Sequence, residues 1–74
     1  MGEIFAERLR ELLWHAHMSQ ADLAIKAGLT RPAISNYIRN NRCPHSYALV
    51  QIANVLNVST DYLLGRTNNP RVLR

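Results

Sequence analysis

An all-α fold, a compact five-helix bundle, is what three features of the 74-residue sequence predict. Apolar residues recur at three- and four-residue spacing in one segment after another. Those segments are bounded by residue types that start and stop helices. Valine and isoleucine nowhere alternate with polar residues over a strand's length, which argues against a sheet. A chain this short makes one domain, near the lower limit at which a hydrophobic core sustains itself. The lone cysteine, Cys43, has no internal partner, so packing or dimerisation must supply the stability.

The first helix is expected over about 3–15, where Phe5, Leu9, Leu12, Leu13 and Ala16 share a stripe and charged residues lie opposite. Trp14 is expected in the core or in helix packing. Ser19 is a good N-cap for a second helix, Gln20 to Ala27, with Asp22 placed to complete a capping box. Gly28 then supplies the left-handed residue that ends it. Thr30 caps a third helix over about 31–39, with Pro32 in the first turn, although proline disfavours the helical region for Arg31 before it. Its start is therefore open to a one-residue slip. Ile34, Tyr37 and Ile38 fall on one face of this helix; Pro32, Ala33, Asn36, Arg39 and Asn40 fall on the other.

After the turn-rich run Asn40 to Pro44, a fourth helix capped by His45 or Ser46 buries Leu49, Ile52, Ala53 and Leu56 and ends near Asn57. Ser59 caps a short fifth helix, Thr60 to Leu64, stopped by Gly65. Residues 1–67 are thus the folded domain, and residues 68–74, with Asn68-Asn69-Pro70, a flexible tail or linker stub.

Charge divides the chain. Up to Thr30, Arg8, Arg10 and Lys26 face Glu3, Glu7, Glu11 and Asp22; beyond it Arg31, Arg39, Arg42, Arg66, Arg71 and Arg74 face Asp61 alone. A basic half that begins at a helix start suggests a polyanionic partner. The apolar runs are far shorter than the roughly 20 residues that span a bilayer. No secretory leader or cysteine pair is visible, so a cytoplasmic location is expected and no membrane partner. His15 and His17, two apart on one helix, point to different faces, and Cys43 and His45 lack a second ligand pair. No metal, cofactor or small-molecule ligand is expected. Nor does any nucleophile–base set, facing carboxylate pair or glycine-rich phosphate loop suggest an enzyme.

Two short helices joined by Gly28-Leu29-Thr30 form a helix-turn-helix, with the small residues Ala24 and Ala27 available at the crossing. The second helix of such a unit can enter a major groove about 12 Å wide. The run Ser19-Gln20-Ala21-Asp22-Leu23-Ala24, then Gly28-Leu29-Thr30 and Ile34-Ser35-Asn36-Tyr37, closely resembles the lambda-repressor-like, or Cro/cI, family. Leu49 to Ile52-Ala53, Leu56-Asn57-Val58-Ser59 and Asp61-Tyr62-Leu63-Leu64-Gly65 resemble its fourth and fifth helices, so the likeness covers residues 5–67 in order.

The resemblance implies a sequence-specific, double-stranded DNA-binding transcriptional regulator of repressor type, compatible with a phage or prophage origin. It implies a homodimer on a palindromic operator, with helix 5, Val58, Tyr62 and nearby tail residues at the dimer contact. Arg31, Pro32, Ala33 and Asn36 are the base-contact candidates: Arg31 suits guanine O6 and N7, Asn36 suits adenine N6 and N7, and Ala33 or Pro32 a thymine methyl. Gln20, Ser35, Arg39, Asn41 and Arg42 are phosphate candidates.

Family members commonly carry glycine at the positions of His17, Asn40 and Asn57, so these three are expected to adopt the left-handed conformation that histidine and asparagine tolerate. Relatives often pair a basic residue at the position of Leu13 with a glutamate at that of Ile38; here both are apolar, and the two are expected to touch. The alternative is a protein-interaction module of this fold, such as an antitoxin or adaptor, hinted at by an exposed Ile25.

Overall fold

Local capping chemistry sets most of the helix boundaries. The computed structural model describes residues 2–71 and forms α1 (Glu3–Ala16), α2 (Gln20–Ala27), α3 (Arg31–Arg39), α4 (Ser46–Leu56) and α5 (Thr60–Leu63), with no strand among the described residues. Three of the five end by the same device. His17, Gly28 and Asn57 take φ of 54°, 69° and 55°, and the amide after each donates back into the helix: Met18 to Leu13 at 3.0 Å, Leu29 to Ala24 at 2.9 Å, Val58 to Ala53 at 3.0 Å. Met18, Leu29 and Val58 then pack on the core, as the apolar residue after such a left-handed cap generally does.

Asn40 does not follow the pattern. It sits at φ −105°, outside the left-handed region, and its neighbour Asn41 takes φ 52° instead. The route of the α3–α4 connection explains the shift. Its backbone presses so closely on the buried Gly2 that a Cβ there would lie 1.6 Å from the Asn41 carbonyl oxygen. The chain therefore turns one residue later than a plain helix stop would place it.

Every helix sends a fully buried side chain to one core: Phe5 and Leu9 from α1, Leu23 from α2, Ile34 from α3, Ile52 from α4 and Leu63 from α5. Burying each such side chain is worth roughly 1.5–3 kcal/mol. α1 packs on α3 and α5, α2 on α3 and α4, and α4 on α5. Leu13 and Ile38, each 6% exposed, join the same apolar cluster from α1 and α3. No buried polar or charged side chain lies among the described residues.

Four further expectations are corrected. Trp14 is 79% exposed: it lies one residue, about 100° of helix rotation, beyond the buried Leu13. Ala16, expected on the buried stripe, is exposed at the last position of α1. Val58 is only 7% exposed, consumed by its own core and so closed to a dimer contact. α5 stops at Leu63, one residue early, with Gly65 at φ 80° beyond it.

The segment after α5 is tied back to the body. The Arg8 guanidinium donates to the carbonyls of Tyr62 and Thr67 (2.6 Å for Thr67) and to Asn68 Oδ1 at 2.8 Å, and it stacks 4.2 Å over the Tyr62 ring. The Ser59 amide donates to the Pro70 carbonyl at 2.9 Å. Of the expected tail, residues 72–74 lie outside the described residues.

Candidate nucleic-acid interface

The α2–turn–α3 unit is built from reciprocal local bonds. Ser19 Oγ accepts from the Asp22 amide at 3.0 Å, and Asp22 Oδ2 accepts from the Ser19 amide at 3.1 Å, a complete capping box. Hydrogen bonding from the Ser19 backbone, then from its side chain, holds the Asp22 carboxyl below its ordinary pKa. With Ser19 and Asp22 satisfied, the amides of Gln20 and Ala21 have no acceptor among the described residues and face outward from the helix start. Gln20 is half-buried at that first position.

Thr30 opens α3 in an extended conformation, its Oγ1 accepting from the Ala33 amide at 3.3 Å. The helix starts at Arg31 without the one-residue slip, with Pro32 in its first turn where the missing N–H is no loss. Ile34 and Ile38 anchor the inner face, and Tyr37 sets its ring edge-on to Phe5 of α1, centroids 6.1 Å apart at 86°. These anchors fix the rotation of α3 about its axis.

That rotation turns Arg31, Pro32, Asn36, Arg39 and Asn40 outward as exposed residues, with Ala33 and Ser35 half-buried beside them. Asn41 and Arg42 are exposed in the following loop. Pro32, Ala33 and Asn36 lie within about 100° of helix rotation of one another, and Arg31 stands exposed at the first position of the helix, to one side of them. Ser35 and Arg39 lie beside them, Asn41 and Arg42 follow in the loop, and Gln20 is contributed by the preceding helix.

Asn40 was not singled out for this face by its chemistry, yet its Nδ2 donates to Asn36 Oδ1 at 2.8 Å. The signal was present in the sequence as two carboxamides four residues apart on the outer face of a helix.

Electrostatically the face is open to an anion. Asp61, the one acid of the C-terminal half, lies 3.9 Å from Arg66 Nε, and Arg31, Arg39 and Arg42 have no carboxylate partner among the described residues. No helix among the described residues is long and apolar enough to cross a membrane.

Comparison with known proteins agrees with this geometry. Residues 7–63 match the helix-turn-helix family. The chain is 37% identical over 71 residues to the HTH-type transcriptional regulator YqaE of Bacillus subtilis (strain 168), covering 96% of this chain and 61% of that protein. It is 40% identical over 60 residues to the HTH-type transcriptional regulator ImmR of the same organism, covering 81% of this chain and 47% of that protein. The chain therefore spans less than two thirds of these curated relatives. Its fold is similar to that of the N-terminal DNA binding domain of SinR from Bacillus subtilis, with a TM-score of 0.77 and 29% sequence identity, covering 82% of this chain and 90% of that one.

Proposed function

Since this chain belongs to the helix-turn-helix family, we propose that it is a sequence-specific double-stranded DNA-binding transcriptional regulator of repressor type, working in the cytoplasm without catalytic activity. The observation that carries this reading is the outer face of α3, where exposed Arg31, Pro32 and Asn36 stand beside arginines with no acid partner, on a helix braced by α1 and α2. In this reading α3 enters the major groove. Arg31 forks to a guanine edge, Asn36 pairs with an adenine edge, and Pro32 with Ala33 presses on a thymine methyl. Gln20, Ser35, Arg39, Asn41 and Arg42 hold phosphates, aided by the unclaimed amides at the start of α2.

We further propose a homodimer on a palindromic operator. Half-sites one helical turn apart are separated by about 34 Å, and the Cα extents of 28 × 23 × 23 Å let two copies sit side by side at that spacing. With Val58 buried, the contact falls to the exposed Leu64 and the half-buried Tyr62 at the end of the molecule.

Fluorescence anisotropy with duplex DNA at two salt concentrations tests the reading. Binding that contacts 6–10 phosphates weakens by roughly a thousandfold or more between 50 and 200 mM salt. Weak binding to every duplex, insensitive to salt, would sink it and favour a protein partner on a surface such as the 80% exposed Ile25.

A further inference from the structure

We infer that the DNA-binding surface continues past Gln20 onto a groove at the end of α1, where Trp14 packs against the sugar–phosphate backbone of the duplex. This rests on the reading above that the start of α2 meets that backbone.

Trp14 is 79% exposed, although tryptophan is highly buried on average in folded proteins. It does not stand alone on the surface. With Leu13, His17, Met18 and Ser19 it lines a groove that runs from the last turn of α1 to the cap of α2. Leu13 belongs to the core and Met18 packs on it, so the floor of the groove is firm. The left-handed turn at His17 fixes its wall, with the Met18 amide donating to the Leu13 carbonyl at 3.0 Å. An apolar shelf is thus held open on a rigid part of the fold.

Position and size select the occupant. Ser19, at one end of the groove, is followed directly by Gln20 and by the outward amides of Gln20 and Ala21, so a strand lying along that helix start continues onto the shelf. Arg10, exposed one turn before Trp14 on the same stripe of α1, has no carboxylate partner among the described residues and suits an anion there. None of the other large exposed apolar side chains, Ile4, Ile25, Tyr47, Val50 and Leu64, lines the groove. The shelf therefore falls far short of the roughly 800 Å² that each partner buries in a stable protein interface. A nucleic-acid strand is narrow and alternates apolar sugars with charged phosphates. The indole answers both parts, with an apolar face for the deoxyribose C–H groups and one N–H donor for a phosphate oxygen. Such a contact holds the duplex in register and carries no base preference.

Trp14 is the one tryptophan of the chain, so its fluorescence reports on this groove alone. The probe is a duplex recovered with the wild type by selection from a random library. Acrylamide quenching of Trp14 should fall when this duplex is added, and should not fall when the protein concentration alone is raised. Trp14→Ala should weaken binding by about three- to tenfold, the size of one aromatic contact, with the same base preference in selection and little change in melting temperature. Trp14→Phe keeps an apolar face without the N–H and should recover part of the loss. If Trp14 stays as quenchable in the complex as in the free protein, or if Trp14→Ala binds like the wild type, the inference is overturned. Relaxation of one half-site position by Asn36→Ala would then leave the reading of α3 intact. Shielding that follows protein concentration without DNA makes the groove a contact between copies and overturns it as well. If selection recovers no duplex, the DNA-binding reading itself fails, and the inference falls with it.

Discussion

At single residues, burial decides which substitutions matter. Ile38 is 6% exposed among apolar neighbours, and no cation lies buried nearby to receive a negative charge. Ile38→Glu should lower stability by roughly 3 kcal/mol or more in a denaturant titration, the usual loss when an unpaired charge enters a core. Adding Leu13→Lys should recover part of it, because the replaced side chains come from two helices that pack together. An unchanged midpoint for Ile38→Glu would remove the idea that apolar burial stands where relatives use an ion pair. Trp14 makes the contrast. Being 79% exposed, it can be cut to alanine with a change of no more than about 0.5 kcal/mol. A helix buries a stripe, and position 14 lies off it.

At the scale of elements, the helix-turn-helix depends on bonds a few residues long. Ser19→Ala removes the acceptor for the Asp22 amide and should cost about 1 kcal/mol. The same box predicts a pH dependence. The Asp22 pKa is lowered in the folded protein, so its contribution is present above the unfolded carboxylate pKa and is lost as pH falls through the lower folded value. An acid titration of α2 amide shifts should show this, and Asp22→Asn should abolish that limb. Gly28 sits at φ 69° with open space around its missing Cβ, so Gly28→Ala should cost only backbone strain, about 1–2 kcal/mol. At Gly2 the obstacle is steric. A methyl there would collide with the Asn41 backbone, so Gly2→Ala must displace the loop that carries Asn41 and Arg42. Duplex affinity should fall evenly across sequences, as for lost phosphate contacts, and an unchanged salt slope would show that the loop holds no phosphate.

Across the whole molecule, Arg8 is the long-range fastening. It links α1 to residues 54 to 60 positions away through two carbonyls, the Asn68 side chain and the Tyr62 ring. Arg8→Ala should lower stability by about 2 kcal/mol, and Arg8→Lys should recover only part, since an ammonium lacks the planar fork. Hydrogen exchange at the Arg66 amide, bonded to the Asp61 carbonyl, should quicken in both variants. Protection equal to the wild type would mean that this segment is held by other contacts.

The five helices, most of their caps and the exposure of Arg31, Pro32 and Asn36 were determined by the sequence itself. The interactions responsible span three or four residues, and their periodicity and capping chemistry are written in adjacent letters. Only the tertiary structure decided that Asn41, and not Asn40, takes the left-handed turn, because that choice depends on Gly2 lying under the loop from the far end of the chain. It alone decided that Arg8 is a fastening, Trp14 a surface residue and Val58 a core residue. Which side of an element is covered depends on partners dozens of residues away, and no local pattern records them.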